Sequence, residues 1–176
     1  MANIQEVTKF WNYISKFPYG IYSSRTGKPA KDDESYKYMI YQSPQMMRKH
    51  GFGMCYDCCA METEFFKRVR IQWQNYFIEL DSGQTHTFST FMLDGKLYYF
   101  ESSFKAYAGI WEQESNNETI ERVLNQMLTF DKIYKAEYAV YKYKEYTNYG
   151  CNVWEFKKGI ERSGEKIRQE VFMRKE

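Results

Sequence analysis

Apolar residues recur at two different periods along this chain, and the change of period separates helical from strand segments. Near the N-terminus, apolar side chains three and four residues apart predict an amphipathic helix that begins after Asn3 and ends at Phe17-Pro18-Tyr19-Gly20. Ser43-Pro44 has the composition of a helix start and predicts a second helix to about Lys49. A further apolar-periodic run predicts a buried third helix over 55–69.

The period then shortens to two, and β-branched and aromatic residues dominate. Residues 71–80, 86–93 and 96–100 predict three strands of an antiparallel β-meander, with Asp94-Gly95 as a two-residue hairpin turn. The remaining elements alternate in type: a helix over 118–129 capped by Asn116 or Asn117, a strand over 136–146 and a helix over about 152–162.

Helices gathered before and around an antiparallel sheet predict an α+β fold, in a single domain over residues 1–176. A hydrophobic fraction of 43% with only ten glycines and three prolines argues against disordered and collagen-like classes. The formal net charge of +2 is too small to indicate a nucleic acid or membrane partner. Because neither a signal peptide nor 18 consecutive uncharged apolar residues can be found, we expect a cytoplasmic protein with no membrane partner.

Four cysteines, at positions 55, 58, 59 and 151, are spaced unlike a disulfide framework, since three of them fall within five residues. Reduced thiols are expected. The Cys55-x-x-Cys58 spacing also allows a zinc site or a regulatory disulfide. No second pair with that spacing follows, so we predict no metal and no cofactor, and the disulfide stays a less favoured alternative.

Cys55 differs from the other cysteines because it is placed at the start of the predicted third helix, after Gly51-Phe52-Gly53-Met54. Unpaired backbone N–H groups and the helix dipole favour an anion there, and hence a thiolate. The alternative is an inert core thiol. The chain has two histidines, and His50, just before Gly51, is better suited to a helix-end role than to catalysis.

The hairpin register predicts a partner for the second histidine. If Asp94-Gly95 is the turn, His86 faces Ser103 and Phe88 faces Glu101, so all four side chains share one face of the sheet. Glu101 is then diagonal to His86 and within reach of its ring. The alternatives are Ser103 as the direct neighbour of His86, or a surface His beside a surface Glu. A register error of one residue would separate the pair.

These segments resemble a known family. Gly53-Met54-Cys55-Tyr56-Asp57, His86-Thr87-Phe88 and the run from Gly95 to Glu101 are similar to the transglutaminase-like branch of the papain-like cysteine enzymes, in particular to small bacterial members. In that family Gly-x-Cys-Trp-Asp starts a helix, and a His and an acid follow on adjacent strands. The resemblance covers about 51–111, with Tyr56 in place of the commoner Trp and Glu101 in place of the usual Asp.

The resemblance implies a transglutaminase-like core in which N-terminal helices, including the nucleophile helix, pack on the β-meander. It implies that Cys55 is the nucleophile, that His86 is its base and later the acid for the leaving amine, and that Glu101 orients the imidazole. The backbone N–H of Cys55 would bind the oxyanion. Gln42 and Gln45 are candidates for a second donor.

From these residues we expect a thiol acyl-transfer enzyme that hydrolyses an amide or peptide bond of a protein or peptide substrate. The alternatives are transamidation by the same site and an inactive transglutaminase-like binding module. Hydrolysis is favoured because an amine acceptor must be bound and desolvated, and no extra domain is evident for it. A basic, tyrosine-rich C-terminal segment (132–176) allows nucleic acid binding, which we consider less favoured. Substrate identity and oligomeric state stay open.

Overall fold

The fold is described here from a computed structural model over residues 2–175, and its centre is an antiparallel sheet. In chain order the main elements are α1 (Ile4–Ile14), β1 (Tyr22–Ser23), β2 (Met39–Ile40), α2 (Pro44–His50), α3 (Cys55–Val69), β3 (Gln72–Leu80), β4 (Thr85–Leu93), β5 (Lys96–Glu101), β6 (Gly109–Gln113), α4 (Asn116–Phe130), β7 (Lys135–Tyr143), α5 (Val153–Ser163) and β8 (Glu165–Met173). The sheet has the order β6-β5-β4-β3-β7-β8, and β1 and β2 form a separate small ribbon. The predicted α+β class is confirmed.

The helices and the meander predicted from the sequence are present, with a few differences. Asn3 caps α1 through a capping box with Glu6, as the apolar stripe after it indicates. The side chain of Ser115, and not Asn116 or Asn117, accepts the N–H of Glu118 at the start of α4. Strand β7 ends at Tyr143, three residues earlier than predicted, and β6 and β8 were not predicted at all.

The hairpin register is as predicted along the paired residues. Leu93 is opposite Lys96, and pairing continues to Ser89 opposite Phe100. Asp94 and Gly95 have φ angles of 50° and 77°, the left-handed values that a type I′ turn requires at both central positions. The prediction of a His86–Glu101 pair assumed this same register.

Two layers of helices cover the sheet. Helix α4 packs its apolar stripe on one face, against a cluster that includes Tyr76, Phe88 and Tyr99. On the other face α3 contributes Phe65 and Phe66, and α1 packs against Phe65 from outside. Helix α5 completes this second layer beside the N-terminal part of α3. Helix α3 is therefore packed along its length, which fixes the position of its first residue, Cys55.

Strand β7 places its tyrosines in the core. Tyr138, Tyr141 and Tyr143 on β7 are all buried, so their rings are not available at the surface for base stacking. Among residues 2–175, no helix is both long and apolar enough to cross a membrane.

Candidate active site

Cys55 is the first residue of α3, and two glycines set the approach to it. Gly51 ends α2 with φ of 78°, a left-handed conformation that glycine adopts without strain. A Cβ atom on Gly53 would lie 2.9 Å from the end of the Met47 side chain and 3.1 Å from the Asp57 Cβ. A side chain at position 53 would therefore require the end of the Met47 side chain to move and would crowd Asp57.

The carboxylate of Asp57 fixes the turn that carries Cys55. Its oxygens accept the backbone N–H of Met54 at 2.9 Å and of Gln42 at 2.8 Å. Asp57 is fully buried, and burial raises its pKa to about 7 although both hydrogen bonds lower it. The backbone N–H of Cys55 is left at the open end of the helix.

A segment far away in sequence lies beside the same turn. Gly53 donates its N–H to the Pro18 carbonyl, and its own carbonyl accepts the N–H of Gly20. These two bonds form a parallel β-bridge between Tyr19 and Gly53. Desolvation of the Tyr19 hydroxyl raises its pKa, and the neighbouring Cys55 adds to the rise. Tyr19 is thus a neighbour of the thiol that the sequence analysis missed.

His86 and Glu101 form a buried pair. The His86 Nε2 atom lies 2.7 Å from a Glu101 carboxylate oxygen, and the two residues are 6% and 2% exposed. The imidazole also packs edge-on against Phe104. The predicted proximity of His86 and Glu101 is therefore present, and the alternative of a surface pair is wrong.

Glu101 is held on both of its oxygens. Oε2 accepts His86 Nε2 and the Tyr99 hydroxyl, the latter at 2.8 Å. Oε1 accepts the backbone N–H groups of Ser103 and Phe104, each at 2.8 Å, and the Ser103 hydroxyl at 2.9 Å. Ser103 therefore bonds to the acid and not to His86. This many donors hold the carboxylate in one orientation and favour its charged form.

His86 and Glu101 each favour the charged form of the other. Burial alone would lower the pKa of His86, but the charge of Glu101 raises it well above the ordinary value, and an interaction with the Cys55 side chain raises it further. Burial would raise the pKa of Glu101, but His86 and the hydrogen bonds lower it well below the ordinary value. Because Nε2 is bound to Glu101, Nδ1 is the ring nitrogen left for Cys55.

No family model, curated protein or solved structure matches the chain. We therefore infer its chemistry from the geometry of its own residues.

The other three thiols have surroundings that make them poor nucleophiles. All four cysteines are free and buried. Burial, followed by the charge of Glu62, raises the pKa values of Cys58 and Cys59 well above the ordinary value. Burial raises the pKa of Cys151 to about 11. Cys55 differs in its interaction with an imidazole.

Gln42, Gln45 and His50 do not reach the reaction centre as free groups. The Gln42 amide donates to the Phe52 carbonyl and to Asp57, and its oxygen contacts His50 Nδ1 at 2.7 Å. Gln45 is exposed on α2. The His50 ring stacks on Tyr22 with centroids 4.1 Å apart, which supports the structural role predicted for it. The second oxyanion donor is thus assigned to neither glutamine.

A second buried acid lies deeper in α3. Glu62 is 2% exposed and accepts the hydroxyls of Ser89 and Ser102. Burial raises its pKa to about 7. Glu62 lies within the predicted third helix, and no local pattern indicates its role, because the hydroxyls that donate to it come from β4 and from the turn after β5. Within residues 2–175 no group of three or more His, Cys, Asp or Glu side chains is arranged to hold a metal ion.

Two clefts are lined by His86 or by the chain neighbours of Cys55. The first, which we call the histidine cleft, has a volume of about 280 Å³ and is lined by His86, Tyr19, Phe104, Met127 and Phe130 among others. The second, the helix cleft, has a volume of about 390 Å³ and includes Met54 and Tyr56, the two neighbours of Cys55 in the chain. Thr85 lines both clefts.

Proposed function

We propose that this protein is a cysteine hydrolase with a transglutaminase-like, papain-like core, and that Cys55, His86 and Glu101 cleave an amide or peptide bond. The observation that carries the proposal is the buried His86–Glu101 pair whose remaining ring nitrogen serves Cys55 at a helix N-terminus. An acid, an imidazole and a thiol in series are the parts that acyl transfer needs.

In the proposed reaction, His86 Nδ1 takes the proton of the Cys55 thiol, and the sulfur attacks the carbonyl carbon of the substrate. The resulting oxyanion is bound by the backbone N–H of Cys55. The imidazolium then gives its proton to the amide nitrogen, the C–N bond breaks, and the amine leaves behind a thioester on Cys55. Water, deprotonated by His86, attacks the thioester and releases the acid and the free thiol.

Glu101 contributes by holding the imidazole with Nε2 protonated and by stabilising its charged form. The Glu101 carboxylate accepts two backbone N–H groups, and the backbone fixes the direction of both. The carboxylate therefore cannot rotate away from His86 without losing both bonds. The longer side chain of Glu, compared with the Asp that is usual in the family, is accommodated by the turn of residues 102–104 that wraps around it.

We favour a protein or peptide substrate and a cytoplasmic setting, since four free thiols suit a reducing compartment. The alternative from another class is a binding module that retains the fold without activity. The buried ion pair favours the enzyme, because replacing such a pair with packed apolar side chains is often neutral for stability, so stability alone gives little reason for the pair.

Selective alkylation tests the proposal. Brief treatment with iodoacetamide near neutral pH, followed by peptide mass spectrometry, is expected to label Cys55 before Cys58, Cys59 and Cys151. His86→Ala is expected to slow the labelling of Cys55 by about tenfold or more, because the thiol loses its base. His50→Ala serves as the matched control and should leave the rate unchanged. Preferential labelling of another cysteine, or labelling of Cys55 that is indifferent to His86→Ala, would exclude this mechanism.

A further inference from the structure

One cleft is lined by His86 and the other by the chain neighbours of Cys55, and this difference allows a direction to be assigned to the substrate. The histidine cleft includes the ring of His86 itself, together with Ser103 and Phe104 from the turn that binds Glu101. The helix cleft includes both chain neighbours of Cys55. Their shared residue, Thr85, precedes His86 on β4. The inference rests on the proposed function, because it uses the roles of Cys55 and His86.

The chemistry of amide cleavage decides which cleft receives which half of the substrate. The imidazolium must give its proton to the leaving nitrogen, so the amine half lies on the side of His86. The carbonyl oxygen must approach the N–H at the start of α3, so the acyl half lies on the side of the helix. The amine half therefore occupies the histidine cleft and the acyl half occupies the helix cleft.

The walls of the helix cleft are mostly aromatic and apolar. Phe77 and Phe156 form buried parts of its lining, and Tyr36 and Trp154 stand at its rim with 70% and 53% of their surfaces exposed. Lys157, its one charged lining residue, is paired with Glu79. A cavity of this size with aromatic walls and a neutralised cation suits a large apolar side chain.

The histidine cleft is also apolar, but Lys105 and the imidazole of His86 both line it. Phe104, Met127 and Phe130 line it, and Lys105 lies beside them with its ammonium bound to the carbonyls of Ser15 and Ser102. Those bonds fix the ammonium in place, so its charge acts on whatever enters. A cationic amine such as a lysine side chain is repelled there, whereas the neutral amide of an apolar residue is not.

We propose that the enzyme takes peptides with a large apolar residue on the acyl side, bound in the helix cleft around Trp154, and an apolar, uncharged residue on the amine side, bound in the histidine cleft around Phe130. Protein lysine side chains are poor acceptors at this site. The proposal also gives a structural reason for hydrolysis over transamidation.

Peptidyl chloromethyl ketones test the acyl side, because they alkylate the thiol while occupying only that half of the site. The probes are benzyloxycarbonyl-phenylalanyl and benzyloxycarbonyl-glutamyl chloromethyl ketone, with the rate of Cys55 alkylation measured by mass spectrometry. The phenylalanyl probe is expected to react at least about tenfold faster. Trp154→Ala should bring the ratio close to one, whereas Phe130→Ala and the surface control Tyr134→Ala should preserve it. All three positions are more than half exposed, so the variants are expected to fold.

Acceptor competition tests the amine side. With N-acetyl-phenylalanine methyl ester as acyl donor, phenylalaninamide is expected to capture the acyl group several times more often than Nα-acetyl-lysine methylamide at equal concentration. Phe130→Ala should remove this difference and Trp154→Ala should not. The reverse pattern, with Trp154→Ala altering acceptor choice and Phe130→Ala altering probe choice, would overturn the assigned direction.

Iodoacetamide distinguishes a failure of the substrate assignment from a failure of the proposed function, since it reaches the thiol without filling either cleft. The rate at which it alkylates Cys55 also serves to normalise the probe rates of each variant. If iodoacetamide labels Cys55 in a His86-dependent manner but the probe ratio in the unmodified protein is near one, the substrate assignment is wrong and the proposed function stands. If iodoacetamide itself fails to single out Cys55, the proposed function is wrong and this inference is overturned with it.

Discussion

Replacing Glu101 with Gln keeps the shape of the side chain and should nevertheless disable the imidazole. Oε1 accepts the N–H groups of Ser103 and Phe104, which can only donate, so the amide oxygen of the glutamine must take that place. Its NH₂ group then faces Tyr99 and His86 Nε2. To accept from an N–H donor, Nε2 must be unprotonated, and the ring proton moves to Nδ1. That nitrogen can no longer take the proton of Cys55.

The expected loss is large. In hydrolases of the Ser-His-Asp type, an amide in place of the acid costs turnover about 10⁴-fold through the same tautomer error, equivalent to roughly 5.5 kcal/mol of activation free energy. We expect a loss of similar order for Glu101→Gln. The pKa of His86, which Glu101 raises, should fall to the ordinary histidine range or below it, because burial is then the main remaining influence.

Two measurements that need no substrate check this expectation. The rate of Cys55 alkylation by iodoacetamide at pH 7 should drop by about tenfold or more. An NMR titration of the imidazoles should show the fall in the pKa of His86, with His50, the only other histidine, as internal reference. Ser103→Ala is the matched control, since it removes one donor from Glu101 and keeps the charge. Unchanged alkylation and an unchanged His86 pKa in Glu101→Gln would refute the reasoning, and a larger effect of Ser103→Ala would transfer the orienting role to Ser103.

The remaining predictions concern stability. The folded-state pKa of Glu62 is raised to about 7, so the stability that its protonated form contributes is fully present below about pH 4 and is lost as the pH rises through 7. Between pH 5 and 8 the free energy of unfolding of Glu62→Gln should therefore rise by a few kcal/mol relative to that of the original chain, and a pH-independent difference between the two in urea unfolding would contradict this. Gly51→Ala, at φ of 78°, should lower the free energy of unfolding by about 1 kcal/mol, and no loss in the same assay would mean that the turn relaxes. Trp11→Phe removes a 2.7 Å hydrogen bond to the Glu101 carbonyl and should cost about 1 kcal/mol in thermal unfolding, with Trp154→Phe, which removes no such bond, as its control.

The parts of the fold that were predictable depend on local rules. Asp94-Gly95 specifies its own turn, and the period of two then fixes the register on both sides of it, which was enough to bring His86 and Glu101 together. The start of α3 was readable because the apolar pattern changes at Cys55. By contrast, Ser115, Asn116 and Asn117 are three consecutive residues of types that can cap a helix, and their composition alone cannot decide that Ser115 takes the role.

The parts that were missed depend on contacts between distant segments. Strand β8 pairs only with β7 at the edge of the sheet, and of its nine residues only Phe172 is buried, so it lacks the alternation that marks a half-buried strand. Tyr19 reaches Cys55 because its neighbours pair with Gly53, and no period in the sequence connects the two segments. The clefts are likewise built from side chains of several elements and have no local signature.

The bonds between α1 and the turn after β5 have a consequence for how the chain assembles. Trp11 Nε1 binds the Glu101 carbonyl and Lys105 Nζ binds the Ser15 carbonyl, in each case across 90 positions of sequence. Helix α1 can pack on Phe65 of α3 earlier, but it cannot form these two bonds until the hairpin of β4 and β5 is present, and such long-range closures form slowly. Because the same turn holds Glu101, the acid of the proposed triad, a partly unfolded chain in which this turn is not formed has no acid in place to orient His86. Closure of this long loop is therefore coupled to completion of the proposed triad.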